Sequence, residues 1–300
     1  MLSGCDRVAK TLGYRQNDSI LCPVPWSHDY GWGQLLSLYF RGIPLILPKS
    51  KDVFALCEAI EKHQPSILAA IPALCASLVR GVSPIKETKL SSIRLITSTG
   101  APFPQAILQE IKDLFKEAKL CLNYGLTETY RSTSLAPDFV DSHYLSVGKP
   151  IEGVSIIILR QDDHLADVGE VGEVVHRGEG VFIAYWGDAE KTQLSRRLDT
   201  FAPDISPDIS SDNQEAGYCV YTGDLGWLDE EGFLYLVGRR DRQIKTMDMR
   251  VGLDEVEAIL LEFPLIAEVA VAALPHEIMG NMIVAAIVPR YENEDLTKAP

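Results

Sequence analysis

An aspartate flanked by glycines is the feature of this chain that most directly suggests chemistry. Asp224 lies between Gly223 and Gly226, and the missing side chains of these glycines leave room for a ligand beside the carboxylate. A carboxylate accepts two hydrogen bonds at once, which suits the paired hydroxyl groups of a ribose. The turn at 229–232 then folds the chain back and returns Arg239 to the same region. The pattern predicts a sugar-binding carboxylate; the alternative is an aspartate that only caps a hairpin.

A second polar group follows a predicted strand, in the sequence Asn-Tyr-Gly-Leu-Thr-Glu-Thr that starts at Asn123. Tyr124 can stack on a purine and Asn123 can hydrogen-bond to it, while Gly125 permits close approach of the backbone. Thr127 and Glu128 supply oxygen atoms that suit phosphate and magnesium, a hard cation. The alternative is an ordinary strand-to-helix loop with a solvated glutamate.

A further turn, Ser-Thr-Gly-Ala-Pro-Phe at 98–103, also follows a predicted strand and precedes a predicted helix. Its backbone could form a wall of a nucleotide site. It lacks the spaced glycine and the Gly-Lys pair of a phosphate-binding P-loop. A turn without a ligand is the alternative for this segment.

The first part of the chain must position these loops. Short apolar runs alternate there with helical patterns, which predicts a mostly parallel sheet covered by helices on both faces, with ligands at the carboxyl ends of its strands. The predicted strands are 20–24, 44–47, 66–71, 93–98 and 120–124, and the predicted helices are 34–41, 51–64, 73–79 and 104–118.

The pattern changes near Pro150. Strands predicted at 154–159, 172–177 and 218–222 are separated by glycine-rich turns, and 195–216 is predicted to be a mobile surface loop. After Lys245, a helix capped by Asp254 precedes strands at 267–272 and 283–288. The fold class is therefore α/β with a β-rich subdomain and a small α+β C-terminal lid. The expected domains are 1–145, 146–240 and 241–300.

Composition excludes several classes of partner. The 300 residues are 46% hydrophobic with a net charge of −14, which disfavours nucleic acid as a partner. No apolar run is long enough to span a membrane. The six cysteines are scattered without metal-ligand spacing, so we expect reduced, mostly buried thiols and a cytoplasmic protein.

Five segments resemble, in order and spacing, the adenylate-forming enzymes, which include acyl-CoA synthetases and amino-acid-activating domains. The similarity to bacterial acyl-CoA synthetases and acyl-AMP ligases is greatest around 124–133 and 28–31. The five segments are 98–103, 123–128, 172–185, 221–226 and 238–245.

The resemblance implies a two-step ligase that uses ATP and Mg²⁺. A carboxylic acid would attack the α-phosphate of ATP to give an acyl adenylate, and a thiol of CoA or of carrier-protein phosphopantetheine would then displace AMP. Thr127 would bind phosphate, Glu128 the metal, and Asp224 and Arg239 the ribose. The residues implied for the adenine side of the site are Gly100, Ala101, Pro102, Asn123, Tyr124 and Gly125.

Three further roles are implied by matching position. Asp241 would be the hinge about which the C-terminal lid rotates, and His28 would be a catalytic gate beside the acyl pocket, unless it is a free surface histidine. Asp29 occupies the position at which amino-acid-activating relatives hold the substrate ammonium group. An amino or imino acid substrate is therefore an alternative to a plain carboxylic acid.

The sequence also departs from the family pattern. The Ser/Thr/Gly-rich phosphate loop that ends in Pro-Lys and the C-terminal Gly-Lys lysine are not found, and Lys298 has no such context. Asp248 stands where relatives have a glycine beside the pantetheine tunnel. We therefore expect a truncated chain that is a poor enzyme alone. The alternative is a non-catalytic or split-gene fragment that binds AMP or a complementary N-terminal half.

Overall fold

The computed structural model describes residues 2–101, 103–201, 217–246, 249–276 and 280–290. Its α-helices are α1 (Leu2–Thr11), α2 (Asp29–Arg41), α3 (Val53–His63), α4 (Pro72–Arg80), α5 (Gln105–Leu114), α6 (Ala189–Ser195) and α7 (Leu253–Leu261). Its strands are β1 (Ile20–Leu21), β2 (Leu45–Ile46), β3 (Ile67–Ala70), β4 (Leu95–Ser98), β5 (Lys119–Tyr124), β6 (Thr133–Leu135), β7 (Lys149–Pro150), β8 (Val154–Leu159), β9 (Gly172–Gly178), β10 (Arg196–Leu198), β11 (Tyr218–Leu228), β12 (Leu234–Arg239), β13 (Gln243–Thr246), β14 (Met249–Gly252), β15 (Ile266–His276) and β16 (Gly280–Pro289).

Strands β1 to β7 form one sheet in the order β2-β1-β3-β4-β5-β6-β7. The first five are parallel, and β6 and β7 are antiparallel to their neighbours. Every residue of β3 and β4 is buried, because α3, α4 and α5 pack on one face and α1 and α2 on the other. The prediction of a mostly parallel sheet covered on both faces is confirmed.

Strands β8 to β12 form an antiparallel sheet in the order β10-β11-β9-β8, with β12 paired to β11. The hairpin between β11 and β12 turns at Gly232, whose φ of 80° favours glycine. Strand β11 continues past the predicted end at 222, so Asp224 lies within the strand and not at its end. A register irregularity between Tyr221 and Leu225 accommodates it.

The C-terminal part is a small α+β unit. Strands β13 and β14 form one hairpin, β15 and β16 form another, and α7 lies between them in the chain. The prediction that Asp254 caps this helix is wrong, because Gly252 is the N-cap and Asp254 lies in the first turn. Its carboxylate instead accepts the backbone N–H of Arg239 at 3.0 Å and pairs with Arg242 at 2.9 Å.

Helix α2 begins at Asp29, before the start at 34 that the sequence predicts. Gly31 and Gly33 lower the helical propensity of this region, but both are needed for packing. A Cβ at Gly31 would overlap the carbonyl oxygen of Pro25, and one at Gly33 would lie 2.6 Å from the hydroxyl of Tyr130. Tertiary packing therefore overrides the local preference against helix.

Pro102, Asp248, Lys298 and most of the predicted loop at 195–216 lie outside the described residues. Among the described helices, none is both long and apolar enough to cross a bilayer. All six cysteines are free and buried, in agreement with the sequence prediction.

We predict that Gly31→Ala destabilises the fold by about 1–3 kcal/mol, because the added methyl group forces the start of α2 away from Pro25. Urea denaturation followed by circular dichroism measures the change. Tyr39→Ala is the matched control, since Tyr39 lies in the same helix and is 80% exposed. A loss for Gly31→Ala no larger than that of the control would contradict the packing role of this glycine.

Candidate active site

The carboxyl ends of β4 and β5 lie side by side and are joined by an asparagine. The Nδ2 atom of Asn123 donates to Thr97 Oγ1 at 2.9 Å and to the Ser98 carbonyl at 3.1 Å. Thr99 Oγ1 returns a hydrogen bond of 2.9 Å to the Asn123 carbonyl. The donor groups of the Asn123 amide are thus used to fix the two strand ends, and its direct contact with an adenine stays a prediction.

The turn after β4 carries Gly100 and Ala101. Gly100 has a φ of 98°, which an L-residue with a side chain rarely adopts. A Cβ placed there would meet only Ile71, at 4.0 Å, so space is open beside this backbone. Ala101 is exposed. Both positions are accessible from the carboxyl edge of the sheet, as a wall of a ligand site requires.

The loop after β5 doubles back on itself. A Cβ at Gly125 would lie 2.8 Å from the Cα of Arg131, so this glycine permits close approach of the chain to itself. Thr127 is exposed, and Glu128 is half-buried and accepts a hydrogen bond from the hydroxyl of Tyr185. Burial and the neighbouring Glu128 carboxylate raise the pKa of Tyr185. The loop therefore presents one hydroxyl and one oriented carboxylate.

A buried histidine on β9 holds this loop from the second sheet. His176 Nε2 donates to the Glu179 carbonyl at 2.9 Å, so its Nδ1 accepts the hydroxyl of Ser132 at 3.0 Å. Ser132 Oγ in turn lies 3.0 Å from Thr129 Oγ1, which accepts the N–H of Leu126 at 3.1 Å. Burial lowers the pKa of His176 to about 4. The histidine is therefore neutral and acts as a fixed link.

Asp224 is held by one partner from each side. Tyr124 donates its hydroxyl to Asp224 Oδ2 at 2.6 Å, and Arg239 Nη1 donates to Oδ1 at 3.0 Å. The carboxylate is 6% exposed, and its burial raises its pKa while the bonds from Tyr124 and Arg239 oppose that rise. Burial and the Asp224 carboxylate raise the pKa of Tyr124 well above its usual range. These three side chains form the clamp of the site.

Arg239 joins the clamp to the C-terminal unit. Its Nη1 also donates to the Thr222 carbonyl at 2.9 Å, and its Nε lies 3.3 Å from Asp241 Oδ1. Its backbone N–H is bound by Asp254 at the start of α7. One arginine thus contacts the strand that carries Asp224 and the residue predicted to be the hinge.

A cavity of about 190 Å³ lies between the Glu128 loop and β11. Glu128 and Arg239 lie on its wall together, and the roles assigned to them stay predictions. Its lining residues are Leu126, Glu128, Tyr185, Lys191, Ser195, Val220, Tyr221, Thr222 and Arg239.

His28 and Asp29 lie apart from this cavity, at the start of α2. His28 is the exposed N-cap of the helix, and its side chain makes no capping hydrogen bond. Asp29 is half-buried in the first turn. Their positions are compatible with a second compartment at the same sheet edge, and the roles assigned to them stay predictions.

Tyr185, Lys191 and His176 were not among the predicted site residues. Tyr185 and His176 fall in the segment 172–185 that carried the family resemblance, which was the available signal. Lys191 lies on α6 with its Nζ 4.5 Å from the centre of the Tyr185 ring, and no motif indicated it. No group of three or more metal-ligating side chains occurs within the part of the chain that the structure describes.

The chain belongs to the family of AMP-binding enzymes. The model of that family matches residues 1–186, and the model of the AMP-binding enzyme C-terminal domain matches residues 255–299. The resemblance inferred from the five segments is therefore confirmed, and so is the α/β fold with its β-rich and α+β parts.

The curated relatives include CoA ligases. The 2-succinylbenzoate–CoA ligase of Geobacillus kaustophilus is 30% identical over 276 residues, which cover 91% of this chain and 51% of the relative. 4-Coumarate–CoA ligase 3 of Arabidopsis thaliana is 26% identical over 96% of this chain and 49% of its own length. The chain thus spans about half the length of the curated relatives it matches.

Two solved structures also match nearly all of this chain and about half of their own length. The o-succinylbenzoate CoA synthetase of Bacillus subtilis, solved with the acyl-adenylate intermediate OSB-AMP, superposes with a TM-score of 0.78 at 28% identity, covering 96% of this chain and 54% of that one. The amide bond synthetase of Marinactinospora thermotolerans gives 0.80 at 26% identity, covering 98% and 56%.

We predict that Tyr124→Phe destabilises the fold by about 1–3 kcal/mol, because it removes a hydrogen bond from the buried Asp224 carboxylate. Urea denaturation at neutral pH gives the free energy of unfolding. Tyr235→Phe is the matched control, since its hydroxyl donates to Asp229 over a longer 3.2 Å in a less buried setting. Equal losses in the two variants would show that the clamp contributes no special stability.

We predict that His176 makes the fold sensitive to acid. Its pKa lies near 4 in the folded chain and near 6.5 when unperturbed, so the unfolded chain binds the extra proton between these values. Stability must therefore fall as the pH falls from about 6.5 to about 4. The melting temperature is measured as a function of pH. His176→Gln should reduce its dependence on pH in this range, whereas His164→Gln, at an exposed histidine, should leave that dependence unchanged. Parallel curves for wild type and His176→Gln would refute the assignment.

Proposed function

We propose that the chain forms the nucleotide-binding part of an ATP-dependent ligase that activates a carboxylic acid as an acyl adenylate and transfers the acyl group to a thiol. The observation that carries this proposal is the clamp of Tyr124, Asp224 and Arg239 beside a cavity that also contains Glu128. Family membership and the CoA ligase relatives support it. CoA or a carrier-protein phosphopantetheine is the proposed thiol.

The clamp suits a ribose. Each oxygen of Asp224 accepts one hydrogen bond from the protein, and a carboxylate oxygen has a second lone-pair site for a sugar hydroxyl. Arg239 is about two-fifths exposed at its side chain and so retains donors toward solvent. The open backbone at Gly100 and the ring of Tyr124 are proposed for the adenine side, with Ala101, Pro102, Asn123 and Gly125.

Glu128 fits a magnesium ion that is shared with phosphate groups. Mg²⁺ usually binds one or two carboxylates and completes its shell with water and phosphate oxygens, so a cage of several protein ligands is not required. Thr127 is exposed next to it and can donate to a phosphate. When bound, the metal would neutralise phosphate charge during phosphoryl transfer.

The side chains contribute mainly orientation and charge. In the first reaction a carboxylate oxygen of the acid bonds to the α-phosphorus, and the bond from that phosphorus to pyrophosphate breaks. In the second reaction the thiol gives its proton to solvent and its sulfur bonds to the acyl carbon, while the bond from that carbon to the bridging oxygen breaks and AMP leaves with this oxygen. Arg239 and Lys191 place positive charge on the cavity wall, where it offsets the phosphate charge. His28 is proposed as the gate of the acyl compartment.

We also propose domains at 1–145, 146–240 and 241–300, with Asp241 as the hinge. Asp241 lies in a short 3-10 turn at 240–242 between β12 and β13, is exposed, and interacts with Arg239. A rotation at this turn would separate the C-terminal unit from the clamp without disturbing either sheet. An amino or imino acid held by Asp29 is the alternative substrate, which the half-buried position of Asp29 at the start of α2 favours.

Neither the family phosphate loop nor the Gly-Lys lysine occurs in these 300 residues. We therefore propose that this chain alone catalyses adenylate formation slowly. Together with a polypeptide that supplies the phosphate loop and the Gly-Lys lysine, it would catalyse the reaction rapidly. Binding of AMP without catalysis is the alternative function.

We predict that the chain binds AMP and that Asp224→Asn weakens binding at least about tenfold, because a charged hydrogen-bond acceptor is lost. Isothermal titration calorimetry measures the affinity. Asp229→Asn is the control, since Asp229 lies in the hairpin turn and accepts the N–H of Phe233 at 2.8 Å. Unchanged affinity in Asp224→Asn contradicts the ribose site.

A second experiment separates the two proposed functions. ATP–pyrophosphate exchange stimulated by a carboxylic acid supports the ligase, and AMP binding without exchange supports a chain that binds AMP without catalysis.

A further inference from the structure

Arg131 is a buried cation without a carboxylate partner. It is 5% exposed, its Nε has no hydrogen-bond acceptor, and it forms no ion pair with any residue that the structure describes. Arg7 is a useful comparison, because it is 8% exposed but pairs with Glu179. The Nε of Arg7 also lacks an acceptor, so these two buried arginines of the described residues differ in the ion pair, which Arg7 has and Arg131 lacks.

This arrangement is energetically costly. A guanidinium group stays protonated in proteins, so Arg131 cannot avoid the cost of burial by losing its proton. Its carbon Cζ lies 5.5 Å from the centre of the Tyr30 ring, which offsets the cost only in part. A buried charge of this kind calls for an anion as its partner.

The tyrosine and cysteine side chains whose pKa responds to Arg131 supply no negative charge at neutral pH. Burial raises the pKa of Tyr14, Tyr30, Tyr130 and Cys121, and the nearby charge of Arg131 only partly opposes these shifts. Tyr14 donates its hydroxyl to Gln34, and Tyr30 donates to the Thr97 carbonyl. These groups are neutral, and the hydroxyl protons of Tyr14 and Tyr30 are used by Gln34 and Thr97.

Asp29 lies close enough to Tyr130 for its carboxylate to raise the pKa of that residue. It is half-buried, and it forms no ion pair with Arg131. Asp29 therefore does not occupy the guanidinium group of Arg131, which stays available to an anion.

The location suits an acid substrate. Arg131 belongs to the same loop as Glu128, and Tyr30 lies in the first turn of α2. The His28 side chain makes no capping hydrogen bond, and the partial positive charge of this helix start adds to the preference for an anion. The Tyr30 hydroxyl bonds to Thr97 of β4, one of the two strands whose ends carry the nucleotide loops. A molecule bound here can reach the proposed adenylation site.

We propose that Arg131 binds a second carboxylate of the acid substrate, so that the preferred substrates are dicarboxylic acids. One carboxylate would be activated at the nucleotide site, and the other would pair with the buried guanidinium group. This inference rests on the proposed ligase function, because that function places an acid in this compartment.

The test compares pairs of acids that differ by one carboxylate: hexanoate with hexanedioate, and benzoate with benzene-1,4-dicarboxylate. Thermal denaturation and calorimetry are run on wild type, Arg131→Met and Arg131→Lys. The diacids should bind wild type at least about tenfold more tightly than the monoacids, and Arg131→Met should lose this difference while Arg131→Lys retains part of it.

Stability provides a second readout that does not depend on catalysis. Without ligand, Arg131→Met should melt about 2 °C or more above wild type, because an unpaired buried charge is removed. Arg7→Met is the matched control and should melt below wild type, because its substitution leaves Glu179 without its partner. An Arg131→Met variant that is less stable than wild type or unfolded overturns the proposal. If Asp29→Asn lowers the melting temperature as much as Arg131→Met does, Asp29 is the partner of Arg131, and this result also overturns the proposal.

Pyrophosphate exchange separates this inference from the function on which it rests. Exchange stimulated equally by monoacids and diacids keeps the ligase function and refutes the role of Arg131. A different result would be selective diacid binding without exchange, even when a polypeptide supplies the phosphate loop and the Gly-Lys lysine. This result supports the Arg131 site and refutes the ligase function.

Discussion

The hydrogen bond between Tyr124 and Asp224 is the constraint on which the rest of the site depends. It joins the last residue of β5 in the parallel sheet to β11 in the antiparallel sheet, over a separation of 100 residues along the chain. Because the carboxylate is buried, both it and its partners must be placed accurately for it to remain charged. Arg239 then extends the same network to α7 through Asp254. Three structural units therefore meet at one acidic side chain.

The loops around this point are held by internal hydrogen bonds and not by their own sequence preference. Asn123 ties the end of β5 to the end of β4, and His176 reaches from β9 to fix the loop that carries Glu128. Such prior ordering lowers the entropy that a ligand must remove on binding. The same polar residues that look available for a ligand in the sequence are thus partly used to build the site.

The sequence was sufficient where the signals are local. The parallel sheet, the loops after β4 and β5 and the pairing of Asp224 with Arg239 in one hairpin all follow from short patterns. The sequence was insufficient where long-range packing decides. Gly31 weakens the local preference for helix, yet it lies in α2 and packs closely against Pro25. Asp254 is predicted to cap a helix, but its carboxylate binds Arg239 and Arg242, and these contacts are not visible in the local sequence pattern. The contact between His176 and Ser132 spans 44 residues, so no local pattern could reveal it.

The irregular register of β11 between Tyr221 and Leu225 has a consequence for how this protein can vary. Side chains alternate between the faces of a strand, so the loss of one residue in this interval would turn Asp224 toward the opposite face. From Tyr221 to Leu225 β11 advances four residues while β9 moves two, from Val175 to Glu173, so one extra residue would remain as a bulge and the sheet itself would survive. We therefore expect length changes at this point to disturb the proposed ribose contact of Asp224 more than the folding of the sheet, and substitutions alone would not reveal this effect.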